Sequence, residues 1–147
     1  IDMPPGTGGV QISVAQTLAI AGAVIITTPQ DIALIDAKKG IEMFTKVDIP
    51  VIGVVENMAV HICSQCGHGE HIFGDGGGAR VADEYGTKLL GSLPLELVIR
   101  QQGDLGIPAV EALKDSVIAQ QYRDIANSVL VELAAMDSDE GPEIVFE

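Results

Sequence analysis

Cysteine, basic charge and long apolar runs are all scarce in this sequence, and each scarcity excludes something. Two cysteines in 147 residues cannot build a disulfide framework. Set as Cys63-Ser-Gln-Cys66, they suit a reducing compartment, where such pairs bind metal or do redox chemistry. Eight Lys and Arg stand against 21 Asp and Glu, a formal net charge of −13. That balance repels phosphate backbones and anionic lipid, arguing against nucleic acid or a membrane surface as partner. The longest apolar stretch, TLAIAGAVIITT at 17–28, is well short of the ~20 residues of a membrane span. A basic segment followed by an apolar run and a small-residue cleavage site is missing, as is any internal repeat. Also absent is the phosphate-cradling loop G-x-x-x-x-G-K-[ST], because none of Lys38, Lys39, Lys46, Lys88 and Lys114 follows a glycine.

What is present is globular. The chain is 47% hydrophobic and 20% charged, long enough for one domain with a real core. Short β-branched runs at 21–28 and 49–57 read as strands buried on both faces. Between them, 31–46 places Leu34, Ala37, Ile41 and Phe44 at helical spacing, with Lys38 and Lys39 off the stripe. It reads as an amphipathic helix capped by Asp31 and interrupted by Gly40. The stretch 76–86 reads as a short helix ending at Gly86, 88–95 as a third strand and 115–136 as a long last helix. Strands alternating with helices at this spacing predict an α/β fold, a parallel sheet flanked by helices. Met43, Phe44 and Tyr122 read as core. The acidic end at 137–147, containing Gly-Pro, reads as a flexible tail.

Two stretches carry chemistry. At the start, Ile1-Asp2 followed by Pro4, Pro5 and Gly6 resembles a strand end delivering a carboxylate to the edge where α/β sheets bind ligands. The plainer alternative is a Pro/Gly turn with Asp2 as a cap. The second stretch, 61–73, holds both cysteines and all three histidines. Cys63, Cys66, His68 and His71 form a chemically sound zinc set, although C-x2-C-x-H-x2-H is tighter than typical zinc-finger spacing. A thioredoxin-like pair belongs at a helix N-terminus, and this one follows a strand in a Gly/His-rich loop. A metal site is the favoured reading, with the histidines as ordinary loop residues. Asp31 and Asp36 are explained by capping or solvation, and Glu56 carries no assigned role.

Taken in order, IDMPPGTGG, TTPQDIALIDAKKGIEMF, IPVIGVVENM, CSQCGHGEHIFGDGGG and LLGSLPLE closely resemble the Mrp/ApbC family. These are deviant P-loop ATPases of the MinD/ParA superfamily that carry iron–sulfur clusters. The resemblance extends to about residue 110 and implies that 1–136 is the C-terminal portion of such a domain, with the P-loop upstream of Ile1. It also implies an ATP-dependent carrier acting in the cytoplasm as a homodimer, receiving clusters from an assembly scaffold and handing them to apo iron–sulfur proteins.

Residue by residue, the resemblance implies that Asp2 is the Walker B carboxylate associated with Mg²⁺. Pro5, Gly6, Thr7 and Gly8 fall in the switch loop near the γ-phosphate of ATP. The family has an acidic residue where this chain has Gly9. Asn57 matches the position that bonds the adenine edge, and Pro94 and Leu95 the loop bordering the base. Cys63 and Cys66 match ligands of a 4Fe–4S cluster bridging two subunits. A cubane cluster takes four thiolates and one chain offers two, so dimerisation completes the set. Zinc is a possible substitute at the same cysteines. Two other classes compete with a carrier: a zinc-bridged dimerisation module and a MinD-type positioning ATPase. The latter would want a basic amphipathic terminus, and this one is acidic.

Overall fold

The computed structural model describes residues 1–4 and 6–139. Pro5 and the acidic stretch from residue 140 onward lie outside them. Three strands, β1 (Ala23–Thr27), β2 (Val51–Glu56) and, later in the chain, β5 (Leu89–Ser92), form a parallel sheet in the order β1-β2-β5. The middle strand, VIGVVE, is buried along nearly its whole length, as its unbroken apolar run predicts.

Helices cover both faces of the sheet. On one face α2 (Asp31–Lys46) and α3 (Gly77–Glu84) enclose Ile25, Leu34, Ala37, Ile41, Val54, Val81 and Ala82. On the other, α6 (Val117–Asp139) lays Tyr122, Ile125, Val129, Leu133 and Met136 over Ile52, Val55, Leu90 and Leu93. Ile52 and Val54 lie in opposite layers although they are two residues apart. A bulge accounts for this, since Ala23 pairs with Val51 but Val24 with Gly53.

The expected amphipathic helix spans 31–46 as read, with one correction at its start. Gln30, not Asp31, is the capping residue: its backbone is extended and its carbonyl accepts the first helical bond, from Leu34 at 3.0 Å. Asp31 is already helical, so its carboxylate sits in the first turn, where it complements the helix dipole. On the buried side Met43 is enclosed while Phe44 is half-buried. Helix α3 ends as expected at Gly86, whose φ is +65°. Thr87 donates to the carbonyl of Ala82 at 2.9 Å and Gly86 to that of Asp83 at 3.2 Å, the paired bonds of a Schellman ending. The last helix starts at Val117, capped by the Ser116 hydroxyl, which accepts from the Ala119 amide at 3.1 Å. It runs to Asp139, past the expected end at Met136.

The expected strand end at Ile1–Asp2 is not formed, and residues 1–4 belong to no strand. Pro4 and the residue after it are prolines with no N–H to give a ladder. Instead the segment leads into α1 (Gly9–Thr17), and the amide of the buried Gln11 donates to the Pro4 carbonyl at 2.8 Å. Further elements are a small antiparallel pair, β3 (His61–Ile62) and β4 (Gly69–Glu70), and two short helices, α4 (Leu97–Asp104) and α5 (Ala109–Ala112).

Candidate functional site

Beyond the sheet, the chains leaving β2 and β5 stay paired. Leu93 donates to Glu56 at 2.9 Å, Ala59 to Leu93 at 3.0 Å, Leu95 to Val60 at 2.8 Å and Ile62 to Leu95 at 3.2 Å. This ladder carries the order of the core outward into the β3–β4 hairpin. The hairpin pairs His61 with Glu70 and Ile62 with Gly69, and its turn, residues 63–68, holds both cysteines.

The turn is fixed by its own backbone. Cys63 donates to the His68 carbonyl at 2.9 Å, and Gly67 donates to the Cys63 carbonyl at 2.8 Å. Gly67 has φ +73°, a left-handed conformation for which glycine is the natural residue. Cys63 is half-buried and Cys66 exposed, and both are free thiols. The amide of Gln65, then the amide and the thiol of Cys66, hydrogen-bond the Cys63 sulfur and hold its pKa below the ordinary thiol value. Amides aimed at a sulfur favour its thiolate, the form that binds metal.

The histidines do not join the cysteines. His71 Nδ1 lies 2.8 Å from the Ala59 carbonyl; a carbonyl only accepts, so the ring donates there and pins the return limb of the loop to the exit of β2. Among the described residues no group of three or more His, Cys, Asp or Glu is placed to hold a metal ion. The one-chain zinc set of Cys63, Cys66, His68 and His71 is therefore not assembled. Nor does the pair sit at a helix N-terminus, since the next helix begins at Gly77.

A second region lies at the carboxyl ends of β1 and β2. A cleft of about 720 Å³ there is lined by Asp2, Gly6, Gln11, Thr27, Thr28 and Asn57, among others. Asn57 donates its backbone N–H to the Thr27 carbonyl at 2.7 Å, and its side-chain oxygen accepts from Met58 at 2.9 Å. Its NH₂ group is what it can offer a ligand. Asp2 and Gly6 are thus brought to one cleft with Asn57, which is distant in sequence. Thr7 and Gly8 are exposed and do not line it, while Pro5 is outside the described residues. Pro94 and Leu95 are also off this cleft; Leu95 is bridged instead to His61 at the base of the hairpin.

Two features that hold the site's loops escaped the sequence reading. Gln11, 4% exposed, anchors the Pro/Gly loop from within α1. Glu56, 5% exposed, accepts from the Gly78 amide at 2.5 Å and so closes the far end of the cysteine loop. The triple glycine at 76–78 was the available signal, since an N-terminus without capping side chains needs an acceptor from elsewhere.

The family described as ParA, NUBPL iron-transfer P-loop NTPase, matches residues 1–130. The chain belongs to this family. Within it, the iron–sulfur cluster carrier protein of Pseudomonas fragi is 60% identical over 126 residues, covering 86% of this chain and 44% of that protein. The mouse iron–sulfur cluster transfer protein NUBPL is 50% identical over 133 residues, covering 90% and 42%. This NUBPL-family chain therefore spans less than half the length of these relatives. Among solved structures, a nucleotide-binding protein from Archaeoglobus fulgidus in complex with ADP superposes with TM-score 0.63 at 36% identity, covering 72% of this chain and 44% of that one. The cell-division ATPase MinD of Pyrococcus furiosus gives TM-score 0.59 at 22% identity, covering 76% and 43%, a likeness of fold alone. The fold is that of a P-loop NTPase, with the parallel sheet and flanking helices expected from the sequence. No helix among the described residues is long and apolar enough to cross a membrane.

Proposed function

We propose that this chain is the cluster-holding part of an ATP-dependent iron–sulfur carrier of the cytoplasm. Cys63 and Cys66 of two chains hold one bridging 4Fe–4S cluster, the cargo, which passes from an assembly scaffold to apo-proteins. The carrying observation is the hairpin turn, which presents two accessible thiols with the Cys63 sulfur poised toward thiolate by backbone amides. Four thiolates suit a cubane cluster, and a site at the surface between subunits is open to a recipient. The names of the Pseudomonas and mouse relatives support the same reading.

Nucleotide belongs at the other cleft. In this reading Asp2 serves Mg²⁺, the loop at Pro5, Gly6, Thr7 and Gly8 senses the γ-phosphate and Asn57 meets the base. That a structural relative at 36% identity is a nucleotide-binding protein in complex with ADP supports a nucleotide-binding role. Because this sequence has no G-x-x-x-x-G-K-[ST] motif, hydrolysis depends on residues outside it, and this stretch alone is not expected to turn over ATP. Pro94 and Leu95 are assigned to the base by resemblance alone, and Leu95 is bonded to Val60 and Ile62 at the base of the hairpin.

Anaerobic reconstitution of the full-length natural protein with iron and sulfide tests the reading. The expected result is ~4 iron per two chains with a thiolate-to-iron charge-transfer band. Uptake of zinc alone, with no such band under any loading condition, would establish the zinc-bridged dimerisation module instead.

A further inference from the structure

The segment that carries the cysteines leaves β2 and ends at α3, and its two limbs rest on different supports. The outgoing limb is laddered to the exit of β5 through Leu93 and Leu95. The return limb, the glycine-rich turn at 74–78, rests instead on the exits of β1 and β2. The Glu56 carboxylate, one residue before Asn57, accepts from the Gly78 amide at 2.5 Å. Pro29, next to Thr28, packs on Gly77 so closely that a Cβ there would stand 2.8 Å from the Pro29 carbonyl oxygen. Thr28 and Asn57 both line the larger cleft. The two residues that support the return limb are thus chain neighbours of two that line the cleft.

We propose that Glu56 is a positioning residue through which occupancy of that cleft is felt at Cys63. The proposal rests on the carrier reading and names the residue that links its two sites. Glu56 is 5% exposed and Gly78 is buried, so their bond is shielded from water and ties the return limb firmly to the end of β2. A ligand that meets Thr28 and Asn57 acts on the exits of β1 and β2, and Glu56 and Pro29 pass any displacement there to the return limb. The outgoing limb is held by β5, none of whose residues line the cleft. Gly74 and Gly76, with φ +99° and +65°, let the turn absorb a change of backbone without a side-chain clash. A shift of one limb against the other falls on the hairpin turn, where the Cys63 amide bonds His68 and the Cys63 carbonyl bonds Gly67. The accessibility of the Cys63 sulfur then depends on what the cleft holds. This is a contiguous route between two sites, each step of it a contact.

The test uses the full-length natural protein without metal cargo. Alkylation of Cys63 at fixed pH is followed by mass spectrometry, with and without a saturating non-hydrolysable ATP analogue and Mg²⁺. Calorimetry measures nucleotide binding. In wild type the nucleotide is expected to change the alkylation rate roughly fivefold or more. In Glu56→Ala that ratio should fall close to one with nucleotide still bound. In Glu56→Gln, where the acceptor is neutral and weaker, it should be intermediate. The control is Ile125→Val, which loosens the core on the opposite face of the sheet and should keep the wild-type ratio. If Glu56→Ala is poorly folded, Glu56→Gln carries the comparison. A wild-type ratio in the variant that carries the comparison overturns the proposal and leaves the carrier reading intact. Loss of the ratio in Ile125→Val also overturns it, because general loosening then suffices. Loss of nucleotide binding in Glu56→Ala overturns it too, placing Glu56 in the nucleotide site itself. A wild-type protein that binds nucleotide with no change at Cys63 overturns both the link and the ATP dependence of the carrier.

Discussion

The carboxylate of Glu56, at the end of β2, accepts a hydrogen bond from the Gly78 amide, 2.5 Å away, with both residues buried. Helix α3 has glycine at its capping position and no side-chain cap of its own, so a residue 22 positions earlier fills the role. The closeness is possible only with glycine. A Cβ at Gly78 would lie 2.9 Å from the Glu56 Cβ, and one at Gly77 would lie 2.8 Å from the Pro29 carbonyl oxygen. The loop that contains both cysteines is thereby closed at each end against the same strand.

Glu56→Ala is expected to destabilise the fold by about 1–3 kcal/mol, because it leaves a buried amide without an acceptor. Glu56→Gln keeps an acceptor oxygen and should cost less. Thermal or urea unfolding of the two variants ranks them, and equal stability of Glu56→Ala and wild type would remove the cap from the account.

Two glycines should respond in opposite directions to alanine. At Gly53 the added carbon meets the Lys88 carbonyl oxygen and Leu90 Cγ, both at 2.6 Å. Strand β5 backbone cannot yield there, so a loss of about 1–3 kcal/mol is expected. At Gly40, within α2, the nearest atom is Ile25 Cδ1 at 3.8 Å, an ordinary contact. Gly40→Ala should stabilise by roughly 0.5–1 kcal/mol. Denaturation midpoints decide the signs, and a destabilising Gly40→Ala contradicts the packing described.

Cys63→Ser and Cys66→Ser are each expected to lower metal retention roughly tenfold or more. Neither thiol is in the core, so stability without metal should change by no more than about 0.5 kcal/mol. Metal analysis after gel filtration, paired with circular dichroism, separates loss of a ligand from loss of the fold. Insoluble protein from both variants would point to a structural metal.

The pH dependence follows from the Cys63 thiol, which is held below its ordinary pKa first by the Gln65 amide and then by Cys66. The folded state favours the thiolate. Its contribution to stability is complete above the pKa of the unfolded thiol and fades as pH falls through the lower folded value. Alkylation of Cys63, followed by mass spectrometry against pH, should show a midpoint below the ~8.5 of a free thiol. Unfolding in urea should raise that midpoint, and no difference between the two conditions would refute the poised turn.

Much of this was legible in the sequence, for particular reasons. Apolar runs such as VIGVVE have only one economical use in a chain of this size, a strand buried on both faces, and the 3.6-residue stripe of α2 fixes the face it turns to the sheet. The ordered motifs by themselves carry the resemblance to the iron–sulfur carrier family. Helices α4 and α5 were not legible: at eight and four residues they are too short for a helical stripe to repeat. Strands β3 and β4, two residues each, are too short for any periodicity. Helix α1, GVQISVAQT, is β-branched and glycine-led, and Gln11 is what ties it to the preceding loop.

By itself the sequence determined the layers of the fold and the position of the cysteine pair. These follow from local periodicity and from the order of the motifs. The tertiary structure alone decided that Glu56 caps α3, that His71 latches its loop to the exit of β2, and that α4 flanks Cys63. Each of these depends on which backbones the parallel crossovers bring within hydrogen-bond distance, and local pattern does not encode that.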